Sequence, residues 1–348
     1  MKESISRVHS LDYLRGFMAC AVMSYHFSSW TFGEFDASTL LGRVGLYGVS
    51  FFYILSGLTL HIVYSRSPLN LKSLKLFGLK RIFRIYPLLW LVTIISVFAF
   101  SVKDFNLIFL NLTGLFGFIK PAAYIGTGVW SIGNELFFYA FVPLLIFLER
   151  RNLKLFYSAL LIILVISLYF SFFLINSATP LANQWDLYVN PLNQFFLFAG
   201  GMLIGHLGAH TINLKQTAIK IVLGLLVIIF CLYPVTGDTV MLVSGWLRVL
   251  FSLICLLICF LIFNSRIEFN KLAHNVFSFL GDTSYSIYLL HPIVFKIIEV
   301  INNAIFGLDM IVVLISSIAG TFLASHLSYK LLEKPMVLFG KRLSKSVN

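Results

Sequence analysis

The sequence predicts an all-α, polytopic membrane protein of about ten transmembrane helices with both termini in the cytoplasm. Three observations carry this prediction. Hydrophobic residues make up 59% of the 348-residue chain and charged residues only 11%, with a mean hydropathy of +0.91, whereas a water-soluble globule needs far more polar surface. The apolar residues, 36 phenylalanines among them, gather in blocks of about 20, the length that crosses the hydrocarbon core as a helix. The basic residues follow topology: with the N-terminus inside, 20 of the 26 lysines and arginines fall on cytoplasmic segments, as the positive-inside rule requires. The net charge of +12 is then a mark of orientation, and no nucleic-acid partner is expected.

The blocks run over 11–30, 43–64, 84–101, 129–148, 155–175, 192–209, 217–234, 243–263, 279–303 and 310–332. A further apolar stretch at 105–118 is too short to span and reads as a re-entrant or interfacial piece. The inside segments hold Lys2 and Arg7, the cluster from Arg66 to Arg84, Arg150, Arg151 and Lys154, then Lys215, Arg266, Lys271 and a basic tail. Arg43, Lys103 and Lys120 fall near outer loops. The inside loop at 65–83 interleaves leucine with lysine in a manner that suits an interfacial amphipathic helix. Residues 1–348 read as a single membrane domain with no fused soluble domain. Cys20, Cys231, Cys255 and Cys259 all lie in apolar blocks, so neither a disulfide nor a metal is expected. The first block carries Asp12, Arg15 and His26 and no small-residue cleavage site, unlike a signal peptide.

Polar residues inside spans are costly, and they point to function. Arg15 and His26 are eleven positions apart and share a helix face about 16 Å apart along the axis. Asp12, one turn before Arg15, is placed to hold its guanidinium, and a neutral buried histidine suits proton removal from a hydroxyl. Arg81 and Arg84 lie at i and i+3 ahead of Pro87, read here as the opening turn of a helix. Free backbone N–H groups and two guanidiniums would make a phosphate site there. Glu135, one turn beyond Trp130 and Ser131, needs a partner, for which His26 and Arg248 are the candidates. Tyr285, Tyr288 and His291 are spaced by three, and Pro292 releases the Tyr288 carbonyl from the helix ladder, giving a polar substrate wall. His61, His206, His210, His274 and His326 lie near cytoplasmic ends or loops and read as structural. Trp185, Asp186 and Tyr188 in an outer loop suit either stacking on a sugar or interfacial anchoring.

Taken together these segments resemble acyltransferase family 3. The resemblance runs nearly end to end through LDYLRG with His26 ten residues on, FFYILSGLTL, RIFRIYPLLW, GTGVWSIGNELFFYAFVPLL, FFLFAGGMLIG, LGDTSYSIYLLHPI and YKLLEKPM. It implies a bacterial inner-membrane enzyme that acylates carbohydrate hydroxyls, often by O-acetylation, using acyl-CoA (acetyl-CoA by default) as co-substrate. The family pattern carries Arg, ten residues, His onto Arg15 and His26, and its paired-arginine element onto Arg81 and Arg84, both implicated in acyl-CoA use. Glu135 matches the acidic residue of its tryptophan-serine motif. Gly133-Asn134 departs from that motif, where many relatives carry Ser-Val. The expected catalytic set is His26, Arg15 and Glu135; donor binding falls to Arg81, Arg84 and Arg15, and the substrate wall to Asp12, Trp130, Tyr288 and His291. The expected partners are membrane lipid and a carbohydrate or lipid-linked glycan acceptor. A glycolipid or acyl-donor transporter is the rival class, since the same intramembrane charges mark transport pathways.

Overall fold

The computed structural model describes residues 8–208, 215–265, 267 and 269–346; Lys2, Arg7, His210 and Arg266 lie outside them. Every regular element among the described residues is helical. The helices are α1 (His9–Phe32), α2 (Leu40–Tyr64), α3 (Leu71–Ala99), α4 (Phe105–Thr113), α5 (Phe116–Ile119), α6 (Val129–Arg151), α7 (Leu153–Tyr169) and α8 (Trp185–Val189). They continue with α9 (Pro191–Leu207), α10 (Gln216–Leu232), α11 (Val240–Val243), α12 (Gly245–Asn264), α13 (Lys271–Ile301), α14 (Met310–Ser328) and α15 (Lys334–Ser346). A π turn at Tyr329–Glu333 joins α14 to α15.

Seven helices are long and apolar enough to cross a membrane, and eight if the bent pair Leu181–Val189 and Pro191–Leu207 counts as one span. The expected ten would also take in α1, interrupted by Asp12 and Arg15, and α10, which is 17 residues long. The outside of the bundle is apolar: Phe98, Phe173 and Leu331 are 70% exposed or more. Polar groups lie inside, the inverse of a water-soluble fold and the arrangement that lipid demands.

Two helix seams position the site. Along α2 and α9, an added Cβ at Gly57 would stand 2.0 Å from the Phe198 carbonyl oxygen, and one at Gly201 would stand 2.0 Å from that of Ile54. Only glycine lets the two backbones approach so closely. Along α1 and α13, Gly16 and Gly281 do the same, a Cβ on Gly16 meeting the Gly281 backbone at 2.6 Å. That seam aligns Asp12, Arg15 and His26 with the Tyr285–His291 face of α13.

Several expectations are corrected here. The run at 65–83 is not a separate interfacial helix. Asn70 caps α3 by accepting from the Ser73 N–H, and the helix continues unbroken from Leu71. Pro87 therefore lies inside α3, and Arg81 and Arg84 have no helix N-terminus beside them. The apolar stretch at 105–118 forms two short helices, and Gly117 at its end packs against Gly133 of α6. Arg43, read as an outer-loop residue, is 2% exposed. It donates to the carbonyls of Ala37, Ser38, Phe230, Cys231 and Tyr233, and so caps the C-terminal end of α10. Lys296 lies on the surface, paired with Glu299 at 2.7 Å. Tyr188 is 1% exposed and donates to the Leu46 carbonyl, so it is core and offers no face to a sugar.

Candidate active site

A cavity of about 480 Å³ opens among α1, α2, α3, α6, α13 and α15. Its volume falls in the range of ligand pockets. Arg15, Arg81, Arg84, Lys334 and Lys341 stand on its wall against Asp12, Glu135 and Asp282, an excess of two positive charges. The three predicted arginines therefore converge although they come from two helices.

Each guanidinium is held differently. Arg15 donates to the Leu55 carbonyl at 3.0 Å and to Thr59 Oγ1 at 2.5 Å, with Asp12 at 3.6 Å. Arg84 donates to Glu333 Oε2 at 2.9 Å and lies over the Tyr285 ring. Glu333 is 1% exposed and also accepts from Ser286 Oγ, so a buried carboxylate from the terminal π turn fixes Arg84 against α13. Arg81 lies between the rings of Tyr64 and Tyr139, 6.0 and 5.8 Å from their centroids. Among the described residues it has no carboxylate in salt-bridge range, and its Nε is buried without a partner. Of the three, Arg81 is the one most ready to receive an anionic ligand.

Glu135 faces this cavity. It accepts from Ser56 Oγ at 2.6 Å and from the Tyr139 hydroxyl, and it lies close enough to act electrostatically on Arg15 and Arg81. Neither partner expected from the sequence is the one found. His26 bonds elsewhere, and Arg248 donates to Gln194 Oε1 at 2.8 Å while packing over Tyr47 and Phe196. Trp130 is 6% exposed and packs against Tyr53, Trp185 and Tyr188, so it supports the fold behind the cavity and is not on its wall.

His26 and His291 form a pair outside the cavity lining. His26 Nδ1 and His291 Nε2 are 2.8 Å apart, and the rings are within 20° of parallel. His291 Nδ1 is 2.9 Å from the Ile287 carbonyl oxygen, and the Tyr288 carbonyl, which Pro292 leaves without a helical donor, also lies within its reach. A carbonyl only accepts, so His291 Nδ1 carries the hydrogen, and in the neutral ring its Nε2 is an acceptor. His26 Nδ1 must then donate to it. That leaves the lone pair of His26 on Nε2, which no described residue hydrogen-bonds. Trp30 stacks on the His26 ring at 5.2 Å, Phe27 lies 5.8 Å from the His291 ring, and Phe295 packs against both Phe27 and Trp30. The backbone of α13 thus sets the tautomer of a histidine on α1 through a second histidine.

Tyr288 belongs to both regions. Its hydroxyl lies 2.9 Å from Ser131 Oγ, which donates to it, and 3.1 Å from the Gly128 carbonyl, to which it donates. Its ring is 6.3 Å from that of His291. Tyr288 lines the cavity with Phe52 and Ser131, and so is the wall that separates the arginines from the histidine pair.

Comparison with known proteins bears on this arrangement. A family profile described as an acyltransferase domain matches residues 8–329, nearly the whole chain. The chain belongs to acyltransferase family 3. It is also 28% identical over 297 residues to a protein of Acidianus two-tailed virus named as a candidate acetyltransferase, covering 83% of this chain and 84% of the relative. No solved structure matches. Membership of the family makes the chain an acyltransferase with multiple apolar membrane helices. Most of the residues brought together in the cavity, among them Arg15, Arg84, Glu135 and Tyr288, come from the segments through which the family resemblance runs.

Proposed function

We propose that this acyltransferase moves an acyl group, acetyl by default, from cytoplasmic acyl-CoA to a hydroxyl of a cell-surface or lipid-linked carbohydrate, across ten spans with both termini inside. The observation that carries the reading is the shared wall at Tyr288, with a basic cavity on one side and a histidine of fixed tautomer on the other. Arg81 receives donor phosphate, with Arg15 and Arg84 adding charge at the cavity surface. The pantetheine arm then leads inward, past Glu135 and Ser56, toward Ser131 and Tyr288.

Once the Tyr288 side chain gives way and admits the thioester to the histidine pair, His26 Nε2 takes the proton from the acceptor hydroxyl as its oxygen attacks the thioester carbonyl. The tetrahedral intermediate collapses with cleavage of the C–S bond. The proton on Nε2 passes to the departing sulfur, leaving CoA thiol, acyl ester and neutral His26. His291 holds the imidazolium through its Nε2 lone pair and is a positioning residue. Glu135, bonded to Ser56 and Tyr139, sets the charge of the donor cavity and not that of the base.

The test is CoA release from acetyl-CoA by protein in nanodiscs supplied with a glycolipid acceptor, for wild type, His26→Ala and Arg81→Ala. The reading requires loss of turnover in His26→Ala and a raised KM for acetyl-CoA in Arg81→Ala, both with folding intact. Unchanged turnover in His26→Ala would move the chemistry elsewhere. No CoA release from wild type across a broad acceptor panel would favour transport of a glycolipid or acyl donor.

A further inference from the structure

Away from the cavity, three titratable side chains from three helices meet at the ends of α2, α6 and α9. His61 Nε2 lies 2.9 Å from Glu149 Oε2, and His206 Nδ1 lies 2.7 Å from Glu149 Oε1. One ligand atom from each of the three residues falls within 4.8 Å of the other two. His61 is 5% exposed, and the side chains of Glu149 and His206 are 13% and 20% exposed. Among the described residues the salt-bridge partners of Glu149 are these two histidines, so a largely buried carboxylate has no lysine or arginine against it.

We propose that His61, Glu149 and His206 bind a divalent transition-metal ion of the zinc class. Two imidazoles and a carboxylate are a donor set that such ions accept, with bonds of about 2.0 to 2.2 Å that place ligand atoms roughly 3.3 Å apart in a tetrahedral site. The observed spacings, 2.7 and 2.9 Å from histidine nitrogen to carboxylate oxygen and no more than 4.8 Å between any two ligand atoms, lie on either side of that value. His206 already has the outer contact a ligating histidine needs: its other nitrogen, Nε2, lies 3.2 Å from the Tyr157 hydroxyl, which fixes the ring. The fourth position is left for water. The ion supplies the positive charge that the buried carboxylate lacks and ties three helix ends together. Two of these, α2 and α6, carry Thr59, Leu60, Glu135 and Tyr139 of the cavity wall. The sequence raised no such expectation because its metal reading rested on the cysteines.

The experiment uses the full chain, purified in nanodiscs with a histidine-free tag, stripped with chelator, equilibrated with Zn²⁺, desalted and analysed by elemental mass spectrometry. Wild type is expected to hold about one Zn²⁺ per chain. His206→Ala, at the most exposed of the three positions, and Glu149→Gln should fall to background while eluting as wild type does on size exclusion. His274→Ala, a histidine bonded to Tyr13 outside the cluster, should retain the metal. Co²⁺ in wild type should give the visible absorption of a four-coordinate nitrogen and oxygen site, absent in His206→Ala. Equal zinc in wild type and His206→Ala, or background zinc in wild type, would overturn the proposal.

Discussion

Replacing His291 tests the histidine pair most directly. In His291→Ala the His26 Nδ1–H loses its acceptor at 2.8 Å, and nothing then holds the hydrogen on that nitrogen. Leaving a buried donor unpaired costs about 1 to 3 kcal/mol. That cost falls on the tautomer whose Nε2 is basic, so the competent fraction of His26 drops by about 5- to 150-fold at 1.36 kcal/mol per decade. Turnover should fall by that factor. The KM for acetyl-CoA should stay near the wild-type value, since neither histidine lines the donor cavity. His291→Gln provides the control, because its amide can donate to the Ile287 carbonyl while its oxygen accepts from His26, and it should recover much of the loss. Steady-state CoA release in nanodiscs, with acetyl-CoA and acceptor varied separately, gives both constants. Wild-type turnover in a folded His291→Ala protein would refute the reasoning, and so would a change confined to the KM for acetyl-CoA.

Three further outcomes follow from the packing and the cavity. Arg81→Ala should raise the KM for acetyl-CoA about 10- to 150-fold, the loss of a charged hydrogen bond of roughly 1.5 to 3 kcal/mol, measured in the same assay, with Arg81→Lys intermediate. Glu333→Ala should lower the thermal unfolding midpoint more than Glu333→Gln, because only the glutamine keeps partners for Arg84 and Ser286 in a site that is 1% exposed; a scanning fluorimetry series on detergent-solubilised protein reads the difference. Gly57→Ala should cost folding yield, its Cβ falling 2.0 Å from a carbonyl oxygen, whereas Gly78→Ala meets nothing within 4 Å and should stabilise α3 by about 0.5 to 1 kcal/mol.

The all-helical membrane class was legible from composition and block length, because lipid imposes a strong and local demand on sequence. So was much of the cavity. Arg15 and Glu135 stood out as charges in apolar surroundings and Arg81 and Arg84 as a basic pair at the start of a span, and the structure brings all four together. Partners were not legible. His26 and His291 are 265 positions apart, and Arg84 and Glu333 are 249 apart; helical periodicity assigns a face but not the helix it meets. Glu135 was matched to His26 or Arg248 because all three are polar and membrane-embedded, yet the nearer hydroxyls of Ser56 and Tyr139 satisfy it. Pro87 misled for a different reason. Proline is common in a first turn, but the Leu-Lys run before it keeps helical spacing from Leu71, so the helix starts sixteen residues earlier and tolerates the lost hydrogen bond. Arg43 looked like a loop charge because its role, capping α10, depends on carbonyls about 190 positions away.

The glycine contacts of α2 with α9 have a mechanical consequence for the arginine-lined cavity. Backbone seated on backbone cannot slide without a clash, so the α2 wall, with Phe52, Ser56 and Thr59, is stiff. Across from it, Lys334, Val337, Leu338 and Lys341 sit on α15, which follows a π turn and is tethered beside α3 through the ion pair of Arg84 with Glu333. Side-chain tethers rearrange at far lower cost than interlocked main chains. The cavity thus has one wall set by interlocked main chains and one held by side-chain contacts, so any adjustment to a bound ligand falls on the C-terminal helix before it falls on α2.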